Sequence, residues 1–421
     1  MVKYQSFSLI SIFLLLALTL NPIAVTPGIG VEAPKYDGSN IAQIDDFWPT
    51  EGWRYSTPEE QGVNPRKLQE LMDYIEESEV DIDSVLVVKN GYMVMEEYPS
   101  VAYSNTSLQY VASVTKSFTS ALVGIALTQG YIGSVQDYMV DYFPDREIAN
   151  PSPEKNQITI EHLLTMTSGL EWDEWSARYD DPENDIVQMS ISGDCVQYVL
   201  DKPMAYEPGE TWVYCGGGSH LLGAIVQDAT GQRLLTYAFE NLFNPLGISS
   251  VLWSRDSDGY YYAGGGISMA PLDMAKFGYL YLRNGLWDGT QIISSDYVNA
   301  SGSTHVKQFG DNEYYGYGYQ WWTYPFAQVY HASGFRGQHI FVAPEYDLVA
   351  VITSSYPAYE PSPSESMFYE YILTAVDAEY DLLEGSYLPG PKGTNLLIIM
   401  IAVVLSPSLI GTVVWLRKSK Q

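Results

Sequence analysis

Basic residues are scarce in this chain. Lys and Arg number 21 against 51 Asp and Glu, a formal net charge of -30 over 421 residues. Such a field repels phosphate backbones, so nucleic acid is not an expected partner. Cysteine is rarer still. Cys195 and Cys215 permit one disulfide at most, which excludes a disulfide-stapled scaffold and leaves zinc sites of paired cysteines without their ligands. The histidines, His162, His220, His305, His331 and His339, are scattered, with no His-Glu-x-x-His spacing. No metal and no cofactor is expected on these grounds. Internal repeats and low-complexity runs are also missing. What is present is a hydrophobic share of 46%, ordinary for a globular protein with a large core.

Both ends of the chain carry apolar runs. After Lys3, residues Leu9 to Leu20 are apolar up to Asn21-Pro22, the pattern of a secretory signal, with an uncleaved anchor over residues 1–25 as the alternative. Thr394 to Leu416 contains no charge and is followed by Arg417-Lys418-Ser419-Lys420. As a helix it would span roughly 30–35 Å, enough to cross a bilayer. The basic residues 417–421 would then lie in the cytoplasm and everything before the span outside it. Residues 386–393, with Pro389-Gly390-Pro391, read as a stiff linker. Two glycosylation triplets, at Asn105 and Asn299, suit an exported domain. The expected localisation is a cell membrane, with the catalytic domain extracytoplasmic.

The body between the ends, residues 45–385, reads as α+β. Thr57 to Glu77 has apolar residues at helical spacing, and Ser84 to Val88 then reads as a strand. Asn90-Gly91 predicts a hairpin into Tyr92 to Met95, because both residues tolerate positive φ. Ser113 to Gln129 is a helix stopped by Gly130. Mostly helical sequence fills about 131–245. Late strands follow near His339 to Ala343 and Leu348 to Thr353, then a helix near Ser364 to Ala378. The expected fold is an antiparallel sheet flanked by helices, with an inserted helical subdomain and a C-terminal transmembrane helix.

Three segments could do chemistry. Ser113-Val114-Thr115-Lys116 opens the apolar helix. Residues at i and i+3 share a helix face, so hydroxyl and ammonium can meet there. A neutral serine needs a base beside it. Lysine can serve if burial lowers its pKa by about 3 units. Ser152-Pro153-Glu154-Lys155 has the same spelling but no apolar helix to bury its lysine. Tyr214 precedes Gly216-Gly217-Gly218, and a phenol beside a cationic lysine can relay protons. Tyr330 to Gln338 includes His331, Gly334, Phe335 and Arg336. Its glycines would allow close approach of substrate and expose N–H donors to an oxyanion. No Gly-x-Ser-x-Gly elbow surrounds any serine, so His331 is read as a substrate-contacting or structural residue rather than a triad member. Arg336 reads as an anion binder or an exposed loop charge. Trp172, Trp175, Tyr179, Tyr260 to Tyr262, Trp321 and Trp322 divide between pocket lining and core.

Taken together and in this order, the three segments resemble the serine β-lactamase-related, penicillin-recognising superfamily. Ile158 to Leu170, Glu207-Pro208-Gly209-Glu210, Asn244 to Ile248 and Ala263 to Met269 are similar to further landmarks of it. The resemblance covers roughly Gly52 to Ala378. Met166 and the Gly337-Gln338 ending bring it nearest to the 6-aminohexanoate-dimer hydrolase and carboxylesterase branch. It implies a β-lactamase/transpeptidase-like fold and a serine hydrolase acting on an ester or amide of a small or short peptide-like substrate. Ser113 would form the acyl-enzyme, Lys116 would be its general base and Tyr214 would assist proton transfer. The N–H groups of Ser113 and Phe335 would bind the oxyanion, with Gly334, Gly216 and His331 in the substrate site. Two departures stand out. Gly216 occupies a position where many relatives have Asn, and Ala332 one where they have Lys or His. Both weaken an alternative D-alanyl carboxypeptidase or β-lactamase activity, which commonly uses those groups to hold a carboxylate. A catalytically silent surface binding protein is the remaining alternative.

Overall fold

Asn90 and Gly91 both adopt positive φ, 52° and 78°, and this turn closes a hairpin of β1 (Ile82–Lys89) and β2 (Tyr92–Glu97). The computed structural model describes residues 47–307, 315–360 and 362–377. The remaining strands are β3 (Gln109–Tyr110), β4 (Val251–Trp253), β5 (Ile267–Met269), β6 (Leu286–Trp287), β7 (Thr290–Gln291), β8 (Val306–Lys307), β9 (Gly316–Tyr317), β10 (Trp322–Tyr324), β11 (Val329–Gly334), β12 (Gln338–Ala343) and β13 (Leu348–Ser354). The main sheet runs β2-β1-β13-β12-β11-β10-β9-β8, and every pairing within it is antiparallel. A smaller sheet has the order β3-β5-β4.

Alternation along β1 divides the core into two layers. Leu86 and Val88 join the larger apolar cluster, whereas Val85 and Val87 join the smaller one on the opposite face. That smaller face is covered by helix α1 (Pro65–Glu77) and by a helical stretch from Ser364 to Val376. Helix α1 begins where the sequence dictates: Asn64 accepts the Arg66 amide as N-cap and Pro65 takes the first helical position. The larger face packs against α2 (Thr115–Thr128), α3 (Gly216–Thr230) and α4 (Pro271–Leu282). Every residue of α2 from Thr115 to Ala126 is buried, as its unbroken apolar character requires. Phe118 of α2 stacks on Phe277 of α4 at 3.8 Å.

The expected antiparallel α+β architecture is therefore present, and helices predominate between β2 and the late strands. The transmembrane helix expected as part of the fold needs correction. Among the described residues no helix is long and apolar enough to cross a membrane. The expected span at 394–416 lies outside the described residues, as do residues 1–25, 386–393 and 417–421.

Candidate active site

Ser113 sits in a single 3-10 turn, Ala112–Val114, immediately before α2. The turn is held at a strained angle, with Ala112 at φ 48°. Its place is set by the small sheet on one side, where the Val111 amide bonds Ile267 O at 3.0 Å. On the other side lies the end of β11. A Cβ on Gly334 would stand 2.3 Å from Val111 O and 3.3 Å from the Ser113 nitrogen. Only a glycine lets the strand approach the Ser113 amide this closely.

One turn along α2, Lys116 is 3% exposed. Its Nζ donates to Ser113 Oγ at 3.0 Å and to Gly264 O at 2.7 Å. The ammonium also lies 4.8 Å from the centre of the Tyr214 ring. Ser113, Lys116, Tyr214 and Gly334 are thus brought together. Tyr214 is itself stacked, on Trp175 at 5.2 Å and on Trp322 at 5.9 Å. The residue after it, Cys215, caps α3 by accepting the Gly218 amide on Sγ.

The structure adds Glu174, a residue that sequence reasoning missed. Its side chain is buried, and Oε2 accepts Trp172 Nε1 at 2.7 Å and the Gly216 amide at 2.6 Å. Tyr179 donates to its other oxygen at 3.3 Å. A Cβ on Gly216 would lie 2.8 Å from that same Oε2, so the carboxylate occupies the space that a side chain at 216 would need. Asn184 fixes the loop, donating to the carbonyls of Glu174 and Ala177 at 3.1 and 2.9 Å.

This carboxylate changes the electrostatics of the site. Burial pushes the Lys116 ammonium down, but the Tyr214 phenol and the Glu174 carboxylate outweigh it, and the net shift is upward. Burial pushes the Glu174 carboxyl up, against the pull of Lys116, Trp172, Gly216 and Tyr179. Burial does lower the Lys116 pKa as expected, but the expected net fall is corrected, because Tyr214 and Glu174 turn the shift upward.

Other expected participants are placed elsewhere. His331 alternates onto the opposite face of β11, packed against His339 at 5.5 Å and Phe341 at 5.1 Å. Phe341 belongs to the smaller cluster and Ala332 to the larger one, so it is Ala332 that faces the nucleophile layer. The structure does not bring His331 to Ser113. Arg336 donates to the carbonyls of Tyr356 and Ser355, which uses its guanidinium for loop closure. Lys155 of the second tetrad is buried after all, but its Nζ donates to Ala149 O and Leu200 O, both at 2.9 Å, and not to Ser152. Cys195 and Cys215 are both free thiols.

The aromatics split as the sequence left open. Trp175, 54% exposed, forms a wall with Trp212, Tyr214 and Trp322, while Tyr179 packs on Phe335 at 5.2 Å. Trp172 and Trp321 are buried in the core. Tyr260 bonds Asp228 instead.

Known proteins share this arrangement of fold and sequence. The chain is 26% identical to an uncharacterized protein of Alkalihalophilus pseudofirmus over 328 residues, 69% of this chain and 86% of that one. It is 23% identical to the 6-aminohexanoate-dimer hydrolase of Paenarthrobacter ureafaciens, over 69% of this chain and 76% of that one. A shorter match, 28% over 158 residues, covers 33% of this chain and 38% of the lovastatin esterase of Penicillium rubens. Among solved structures, EstCE1, a hydrolase with promiscuous acyltransferase activity, superposes with a TM-score of 0.62 at 16% identity. That likeness covers 74% of this chain and 98% of EstCE1. The octameric penicillin-binding protein homologue from Pyrococcus abyssi gives 0.58 at 20% identity, over 76% and 77% of the two chains. The family model for beta-lactamase matches residues 67–368, well over half of the sequence, and the chain belongs to the beta-lactamase family.

Proposed function

We propose that this protein is a serine hydrolase that cleaves an ester or amide through an acyl-enzyme on Ser113. The observation that carries the reading is the 3.0 Å contact between Lys116 Nζ and Ser113 Oγ, with Lys116 buried and Tyr214 against its ammonium. In the acylation step Ser113 Oγ attacks the substrate carbonyl carbon, and its proton passes to the coupled Lys116–Tyr214 pair. Tyr214 and Glu174 both act on Lys116, so the pair exchanges that proton as a unit. Tyr214 lies over the Lys116 ammonium and is placed to relay that proton. The oxyanion is received by the N–H groups of Ser113 and Phe335. The tetrahedral intermediate collapses, the bond to the leaving alcohol or amine breaks, and the pair returns the proton to that group. Water then attacks the acyl ester, gives its proton to the same pair, and releases the acid with Ser113 restored.

The substrate class follows from charge. The Glu174 carboxyl takes the space beside Gly216, and Gly216 and Ala332 supply no group to hold a carboxylate. Neutral or cationic small esters and amides are favoured over penicillins and D-alanyl peptides. The activities named for the 6-aminohexanoate-dimer hydrolase and lovastatin esterase relatives support the same choice. The short apolar run after Lys3 supports an extracytoplasmic setting, which cell fractionation would test. Turnover of a p-nitrophenyl ester by the wild-type chain, its loss in Ser113→Ala, and failure of a fluorescent penicillin to label the protein are expected. Strong penicillin labelling at Ser113 would favour the carboxypeptidase or β-lactamase reading. A folded protein that labels with no serine-directed probe would favour a silent binding role.

A further inference from the structure

Behind the catalytic layer lies a second cluster that the acyl-transfer reading does not use. Cys195 begins the short helix Cys195–Leu200, His220 lies on the second turn of α3, and Asp256 sits in the turn after β4. One ligand-type atom of each residue lies within 4.8 Å of the other two. The cluster is closed to solvent: Cys195 is 1% exposed, and the His220 and Asp256 side chains are 0% and 3% exposed. No substrate reaches this thiol, so a cysteine nucleophile is not a useful reading of the group.

Hydrogen bonding in the cluster is incomplete. Cys195 Sγ donates to Met189 O at 3.2 Å, whereas both His220 ring nitrogens and Asp256 Oδ2 are buried with no hydrogen bond of good geometry. His220 Nε2 faces Asp256 Oδ2 at 3.8 Å, too long for a hydrogen bond. The other carboxylate oxygen is fully engaged, accepting the amides of Asp258 at 3.0 Å and Tyr260 at 2.9 Å. Those two amides fix the carboxylate so that its free oxygen points at the imidazole. Buried polar atoms left unpaired at this density call for a missing partner, commonly a water or an ion.

We propose that Cys195, His220 and Asp256 form a buried binding site for one zinc ion. The donor set of thiolate, imidazole and carboxylate is a mixture zinc takes in proteins, and hard cations such as calcium and magnesium are poorly matched to it. Charge agrees as well: one thiolate and one carboxylate neutralise a dication in a dry site, and the thiol proton leaves on binding. Zinc held tetrahedrally by these three ligands and one enclosed water has edges of about 3.4–3.7 Å, so the 4.8 Å cluster must close by about 1 Å. The ion would pin the helix Cys195–Leu200, α3 and the Asp256 turn together. Since α3 starts two residues after Tyr214, that clamp fixes the base of the site without entering the reaction.

The chain has two cysteines only, and this makes the test specific. Reduced full-length protein is dialysed against cobalt(II), which replaces zinc and gives a thiolate-to-cobalt charge-transfer band when a cysteine ligates it. The band should form at one equivalent, persist in Cys215→Ser and vanish in Cys195→Ser. Zinc should then displace the cobalt and raise the Tm of the wild-type chain. Asp256→Asn, which keeps the shape of the turn, should weaken cobalt binding at least tenfold and covers the case in which Cys195→Ser fails to fold. A folded wild-type chain with no band in excess cobalt overturns the proposal. So does a band that survives in Cys195→Ser, or unchanged affinity in Asp256→Asn. Ester turnover is a separate readout, so failure here leaves the Ser113 mechanism standing.

Discussion

Glu174 and Gly216 are a complementary pair: the buried carboxylate accepts the Gly216 amide at 2.6 Å and fills the volume that any side chain at 216 would claim. The glycine that looks in sequence like a lost amide is the room made for an anion. This pairing bears on the electrostatics of the site, because Tyr214 first and then the same carboxylate raise the Lys116 pKa against the effect of burial.

Replacing Glu174 with Gln should therefore move the acid limb of the kcat/KM–pH profile to lower pH. Removing the anion destabilises the Lys116 ammonium, so the Lys116–Tyr214 pair gives up its proton at lower pH. An acid limb that stays in place or moves upward would show that Glu174 does not act on the pair.

Tyr214→Phe keeps the ring that stacks on Trp175 and Trp322 but removes the phenol. Loss of a positioned proton relay should lower kcat by about 10²-fold, while the Tm stays close to that of the wild type. Steady-state kinetics with calorimetry on the same preparation checks both halves.

Gly216→Asn should be costly. Its Cβ would stand 2.8 Å from Glu174 Oε2 and 2.6 Å from Ile186 Cδ1, a degree of overpacking worth about 1–3 kcal/mol. Glu174→Ala in the same chain should recover much of that loss. Denaturant melts of the single and double variants give the coupling directly.

These contacts mark where the sequence was readable. Ser113 and Lys116 are one helical turn apart, so their meeting follows from local geometry alone. The sheet alternation that separates Ala332 from His331 is local in the same way. The Asn90-Gly91 hairpin and the late strands, with their turn residues and period-two patterns, were legible for the same reason. Glu174 reaches Gly216 across 42 residues of chain, and no spacing rule encodes that contact. Lys155 was misread for a related reason: the carbonyl of Leu200, which helps bury its ammonium, comes from a distant helix. Cys195, His220 and Asp256 converge only through tertiary packing, which is why their spacing suggested no metal site.

Glu365 offers a test on stability. Burial raises its pKa from 4.5 to about 7, so the folded state binds more protons than the unfolded one between those values. Stability contributed by this group is present below pH 4.5 and lost as pH rises through about 7. Glu365→Gln should be more stable than the wild type above neutrality, by about 1–3 kcal/mol, with the difference shrinking toward acid pH. Thermal melts across that window give the sign.

The central claim, acyl transfer on Ser113, is met most directly by mass spectrometry of the intact protein during turnover of a slow ester. The account predicts a single acyl adduct that maps to the peptide carrying Ser113 and is absent from Ser113→Ala. Continued ester hydrolysis by a folded Ser113→Ala chain, with no adduct formed, would contradict it.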